Sequence, residues 1–316
     1  MQLLENVLEV AKQVLQLFLL MGTGVLCGKV QWLHEVGAKQ MTNILVKLIT
    51  FCVIVESFAT VEFSTEKLQQ MAITVGACLL CTFLGGVCST FLFRKSKASF
   101  QSVLKFGTVF SNCGFMSLPL VSAILGAEGV FIVSIYVGVF QCLCWTYGVG
   151  IYHYFDKSKA LKQIVMNPGI IGIVVGLPIF LFKLSCPSLL LQPIQMLADM
   201  NTPMAMLVTG FYLGKMTLKL QKGDGYIFLG ILFRLLIIPF SVLGILYACG
   251  VKGFLLVACM IPVCAPTASN TSLFAVLFGQ DEVYASRMVS LCTLFSIFTM
   301  PLVVAMAQLT STLINT

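Results

Sequence analysis

The chain has 316 residues, 59% of them hydrophobic and 10% charged, with a formal net charge of +7 and a mean hydropathy of +1.00. Soluble domains carry about 25% charged residues, so a water-soluble globular fold is excluded; at about 20 apolar residues per span the length holds roughly ten transmembrane helices and no soluble domain. The basic residues form short clusters between apolar stretches with no interleaved aromatics, which argues against nucleic acid as a partner.

Apolar runs bounded by charges or turn residues predict spans over 8–28, 41–60, 68–93, 103–125 and 130–154. A polar connection at 156–162 follows, and then spans over 165–182, 193–214, 226–250, 254–278 and 283–309. Glu5 and Glu9, with no basic run before the first apolar stretch, make the first segment an uncleaved helix rather than a signal peptide. Thirteen Lys and Arg residues fall in one set of alternate loops and only Lys67, Lys183 and Lys252 in the other. Cytoplasmic loops retain the excess, so both termini are expected outside and the connection inside, in a multi-pass protein of the cytoplasmic membrane.

The connection at 155–162 divides the chain into 1–154 and 163–316, with five spans each. Five is odd, so the halves are expected to lie in the bilayer with opposite orientation, as in inverted-repeat secondary transporters. Leu125-Gly126-Ala127-Glu128-Gly129-Val130-Phe131 closes the fourth span much as Phe278-Gly279-Gln280-Asp281-Glu282-Val283-Tyr284 closes the ninth.

Of the thirteen cysteines only Cys186 falls in a predicted loop; the others serve as small apolar residues inside apolar segments. Cys78 and Cys81 have CxxC spacing, but His34 and His153 lie elsewhere in the chain, so neither a zinc site nor a disulfide framework is expected. No cofactor is implied.

Spans four and nine carry the strongest signal. Both place Pro among small polar residues, in Ser111-Asn112-Cys113-Gly114-Phe115-Met116-Ser117-Leu118-Pro119 and in Pro262-Val263-Cys264-Ala265-Pro266-Thr267-Ala268-Ser269-Asn270-Thr271-Ser272. With the fourth span starting near Lys105, a rise of about 1.5 Å per residue puts Asn112 roughly 10 Å deep and Pro119 roughly 21 Å deep, bracketing the bilayer centre. Unwound backbone is tolerated there only against protein or a wet cavity, so matched breaks in both halves point to a central binding site. The second halves of these spans are expected to begin near Pro119 and Pro266 and to present helix N-termini, which favour an anion. Neither broken segment contains Asp or Glu. The expected substrate contacts are Ser111, Asn112, Cys113, Gly114, Pro119, Pro266, Thr267, Ser269, Asn270 and Thr271.

Four further charges fall inside spans. Lys12, Lys47 and Arg234 have stems long enough to carry their charge to an interface, and snorkelling is expected for all three. Glu56 cannot reach as far and is read as a proton-coupling or gating carboxylate. Asn167-Pro168 reads as a helix start, Asn at N-cap and Pro at N1. Thr202-Pro203 reads similarly, with Asn201 a candidate for lining an external vestibule.

The motif Ser111 to Leu120 resembles the fourth helix of the auxin efflux carrier family, bacterial permeases related to the plant PIN carriers. Asn167-Pro168-Gly169-Ile170-Ile171-Gly172 with Gly176-Leu177-Pro178 resembles the start of that family's sixth helix. Thr202-Pro203-Met204 through Gly210 and Gly214 resembles its seventh, and Ala265 to Asn270 its ninth. The resemblance implies an all-α membrane protein of ten helices in two inverted five-helix repeats. Helices four and nine then break and cross at Asn112, Pro119 and Pro266, as in bile acid symporters and some sodium/proton antiporters. It also implies a small organic anion as substrate, a carboxylate or auxin-like acid, and allows a homodimer. Many relatives have Pro near Phe51 and a neutral polar residue near Glu56; this chain has neither. A sensor that keeps the fold without transport is the alternative. There is no HExxH, GxSxG or Walker motif, so neither an enzyme nor a self-contained ATP-driven pump is expected.

Overall fold

The computed structural model describes residues 2–152, 157–184, 186–215 and 224–312. Every extended element among them is helical. In chain order these are α1 (Gln2–Lys29), α2 (Glu35–Ile44), α3 (Thr50–Thr60), α4 (Thr65–Leu92), α5 (Ala98–Val109), α6 (Leu118–Leu143), α7 (Val149–Ile151) and α8 (Lys157–Val165). There follow α9 (Pro168–Leu181), α10 (Ser188–Asp199), α11 (Asn201–Gly214), α12 (Asp224–Leu232), α13 (Ile238–Ala248), α14 (Gly253–Cys264), α15 (Asn270–Leu277) and α16 (Glu282–Thr312). Single π-helical turns at Leu45–Ile49, Cys144–Gly148 and Phe233–Ile237 join neighbouring helices into longer rods, and a fourth at Cys113–Ser117 leads into α6.

Six of the resulting segments are long and apolar enough to cross a membrane: Ala11–Lys29, Glu35–Thr60, Thr65–Leu92, Cys113–Ile151, Asp224–Ala248 and Glu282–Thr310. Pro168–Leu181 and Gly253–Cys264 are shorter apolar helices. The segment Cys113–Ile151 has 39 residues, about 58 Å if straight, nearly twice the hydrocarbon thickness. It is not straight: Gly126 has φ +63° and ψ −156° inside α6, a conformation open mainly to glycine, at the turn predicted after Leu125.

Two sequence expectations change here. The polar connection at 156–162 is a helix from Lys157 onward, because Ala160, Leu161, Ile164 and Val165 recur at helical spacing; Asp156 lies outside the described residues. Cys249, assigned to an apolar segment, is exposed just after α13.

Helices α1 and α11 touch backbone to backbone. A Cβ on Gly24 would overlap the carbonyl oxygen of Leu207, and one on Gly210 that of Met21. The core runs through α14, whose residues Leu256 to Cys264 are all buried, and through the middle of α6. Three ion pairs among the described residues tie helix ends together: Lys67–Glu128 at 2.9 Å, Lys215–Glu35 at 2.8 Å and the buried Arg287–Asp224 at 3.1 Å. Arg287, one of the thirteen cations that the Lys/Arg count assigns to loops, is in the fold an internal partner of Asp224.

Candidate functional site

The geometry of the site starts from two helices that stop inside the protein. Helix α5 ends at Val109, and Phe110 turns to extended backbone (φ −99°, ψ 125°). Helix α14 ends at Cys264, and Ala265 is extended (φ −62°, ψ 149°), as the residue before a proline prefers to be. The two extended pieces lie antiparallel, with Ser111 opposite Thr267. Asn112 N–H donates to the Pro266 carbonyl at 2.7 Å, and Ala268 N–H donates to the Phe110 carbonyl at 2.9 Å. The Thr267 hydroxyl donates to the Gly107 carbonyl at 2.8 Å. Backbone groups that no helix satisfies therefore satisfy each other, as a non-aqueous interior requires.

Arg234 completes this arrangement. It is fully buried, held on the π-helical turn between α12 and α13. Its guanidinium donates to the carbonyls of Val109 at 3.1 Å, Ala265 at 3.2 Å and Val263, and approaches the Cys81 sulfur at 3.8 Å. Those carbonyls belong to the C-terminal ends of α5 and α14. Each such end carries roughly half a negative charge, and one guanidinium sits against both. The expected snorkelling of Arg234 is overturned: its donors are consumed inside the protein. Lys12 and Lys47 are exposed.

Past the break the chain becomes helical again at Cys113 and at Asn270, not at Pro119 and Pro266. Pro119 is the second residue of α6, which directly follows the π-helical turn, so its missing N–H falls where the helical hydrogen-bond pattern changes. Pro266 lies in the extended piece. Asn112 donates through Nδ2 to the Ser269 hydroxyl at 3.4 Å, and Asn270 through Nδ2 to the Cys144 sulfur at 3.7 Å.

The expected contact residues thus gather in one place but differ in access. Ser111, Asn112, Cys113, Pro119, Pro266, Thr267 and Thr271 are buried, while Gly114, Ser269 and Asn270 are half-buried. A Cβ on Gly114 would meet nothing within 4 Å, so the second half-helix of the first break opens onto free space beside its N-terminus. The buried Thr271 hydroxyl has no hydrogen-bond partner among the described residues.

A cavity of about 210 Å³ lies beside this region, lined by α3, α6, α10 and α11. Glu56 faces it together with Asp199, Asn201 and Thr202. Asn201, expected in an external vestibule, is one of its walls. Asn167 caps α9 through its side-chain oxygen, accepting from Gly169 N–H at 3.0 Å and Ile170 N–H at 3.4 Å, which bears out its reading as a helix start.

Against this geometry, the family model described as membrane transport protein matches residues 9–304. The chain belongs to that family. It includes the auxin efflux carriers, so the resemblance in the four motifs holds at the level of the family, and its members are transporters rather than enzymes. A search of curated proteins gives no match to the chain.

Three features carried no usable sequence signal. An arginine a third of the way into an apolar span reads alike whether it snorkels or caps, and only the need of two broken helices for a cation at their ends distinguishes the cases. Asp199 falls inside the predicted span 193–214, with nothing in its neighbours to mark it. The Asp224–Arg287 pair joins residues 63 apart in sequence.

Proposed function

We propose that the protein is a secondary transporter that moves a small organic anion, a carboxylate or auxin-like acid, across the cytoplasmic membrane by alternating access. The observation that carries this reading is the antiparallel pairing of Phe110–Asn112 with Pro266–Ala268. It brings two helix N-termini, at Cys113 and Asn270, to one place. Half-helix N-termini at such breaks attract anionic groups, and Gly114, Ser269 and Asn270 are the groups within reach of a solute. Ser111, Cys113, Thr267 and Thr271 support the site from behind, and Asn112, Pro119 and Pro266 shape the break.

Ten spans in two inverted repeats, 1–154 and 163–316, complete the proposal. Gly126 and Gly279 support the repeat: the two turns matched by sequence have φ of +63° and +64°. The ion pairs support the alternation of the spans, because each joins two ends that the predicted spans assign to the same face; the orientation rests on the Lys/Arg count.

The test is counterflow of labelled mono- and dicarboxylates in proteoliposomes. A carboxylate solute is expected to bind at least tenfold more tightly than its primary amide, a difference of about 1.4 kcal/mol. Preference for amines or neutral analogues would overturn the anion assignment. Binding without counterflow is the result a sensor gives.

A further inference from the structure

The cavity at Glu56 holds two carboxylates and no countercharge. Its lining comes from Val53, Glu56 and Ser57 on α3, Leu118, Ser122, Ala127 and Val130 on α6, and Ala198, Asp199, Asn201 and Thr202 at the α10–α11 junction. No Lys, Arg or His is among them, and among the described residues the titratable groups in this lining are Glu56 and Asp199. Asp199 is the charged group that acts on the half-buried Glu56. Two like charges at the rim of a low-dielectric cavity repel, and an added positive charge removes that penalty.

A second observation is independent of the acids. Asn201 is only 5% exposed and lines the same cavity, and its side-chain amide has no hydrogen-bond partner among the described residues. With no such partner, this amide on the cavity wall is open to a group bound there. The Ser57 hydroxyl is already engaged with the Ile54 carbonyl and Ser134, whereas Ser122 and Thr202 keep hydroxyls on the cavity wall.

We propose that this cavity is a binding site for a small cation, held by Glu56, Asp199 and Asn201 through oxygen atoms. The donor set is hard, with no thiol or imidazole, which suits an alkali or alkaline-earth ion or a primary ammonium rather than a soft metal. No aromatic ring lines it, so a quaternary ammonium finds no cation–π partner. None of the half-buried groups proposed to meet the anion, Gly114, Ser269 and Asn270, belongs to this lining. The cation site therefore stands apart from the anion reading; that a cation gradient would drive the solute is a consequence resting on that reading.

The experiment follows thermal stability of the purified protein in sodium, calcium or methylammonium chloride against N-methylglucamine chloride at matched ionic strength and no organic anion. Binding to the folded state raises the melting temperature by mass action. At least one small cation is expected to raise it above the N-methylglucamine value, with its apparent affinity reduced tenfold or more in Glu56→Gln and in Asp199→Asn. Asp199 is exposed, so its variant keeps the test intact should Glu56→Gln fold poorly. Both variants are expected to melt at or above wild type in N-methylglucamine, where repulsion is uncompensated. A response to sodium or calcium alone identifies an inorganic ion, and a response to methylammonium alone an organic one. No response beyond N-methylglucamine, or responses unchanged in both variants, overturns the proposal.

Discussion

Replacing Arg234 by Met separates the cap at the crossing from its surroundings, because Met fills much of the same volume without donors. The guanidinium serves the carbonyls of Val109, Val263 and Ala265. At about 1–3 kcal/mol for each buried acceptor left unpaired, the loss is about 3–9 kcal/mol. Removing a buried cation also recovers its desolvation cost, of order several kcal/mol, so the net falls near the 3–5 kcal/mol typical of breaking a buried charge interaction. With an unfolding entropy of about 2.1 cal/mol/K per residue, that is a melting temperature lower by about 5–8 °C. The assay is a melt in detergent followed with a thiol-reactive dye, since Cys113, Cys144, Cys259, Cys264 and Cys292 are buried and react only on opening. Arg234→Lys keeps the charge but not the fork, and is expected to lose about half as much. If Arg234→Met melts within 1–2 °C of wild type, the capping argument is wrong.

Asn112→Ala and Asn270→Ala are expected to lower uptake tenfold or more while melting closer to wild type than Arg234→Met; full uptake by correctly inserted variants would refute their assignment. Gly210→Ala forces a methyl onto the Met21 carbonyl and is expected to cost about 1–3 kcal/mol through overpacking, read as a lower melting temperature; an unchanged melt would show that α1 and α11 can separate freely. A single cysteine at Ser158, with native cysteines removed, is expected to stay unlabelled by impermeant reagent in sealed right-side-out cells, and labelling would invert the orientation.

The sequence made the breaks visible because Pro and small polar residues cannot be lipid-facing helix at midplane depth. It misplaced where each helix resumes, at Cys113 rather than Pro119 and at Asn270 rather than Pro266. A proline marks a missing donor, which a helix tolerates near its start as well as at its end. The start of α5 at Ala98, seven residues before Lys105, deepens the break, since 12 residues of helix reach about 18 Å. Arg234, Asp199 and the Asp224–Arg287 pair were not legible for a common reason: each depends on a partner brought near by the fold, and hydropathy reports depth but not facing.

The pairing across the crossing also sets an order of assembly. The carbonyl of Phe110 and the N–H of Asn112 find their partners only at Ala268 and Pro266, more than 150 residues later in synthesis. Arg234 is made before them and can reach the Val109 carbonyl while α14 is still absent. A nascent chain arrested before α14 holds unsatisfied polar backbone in the bilayer, a state that membrane quality control can recognise. Completion of α14 and the Pro266–Ala268 segment converts that exposed seam into a closed one, so the centre of the protein matures last.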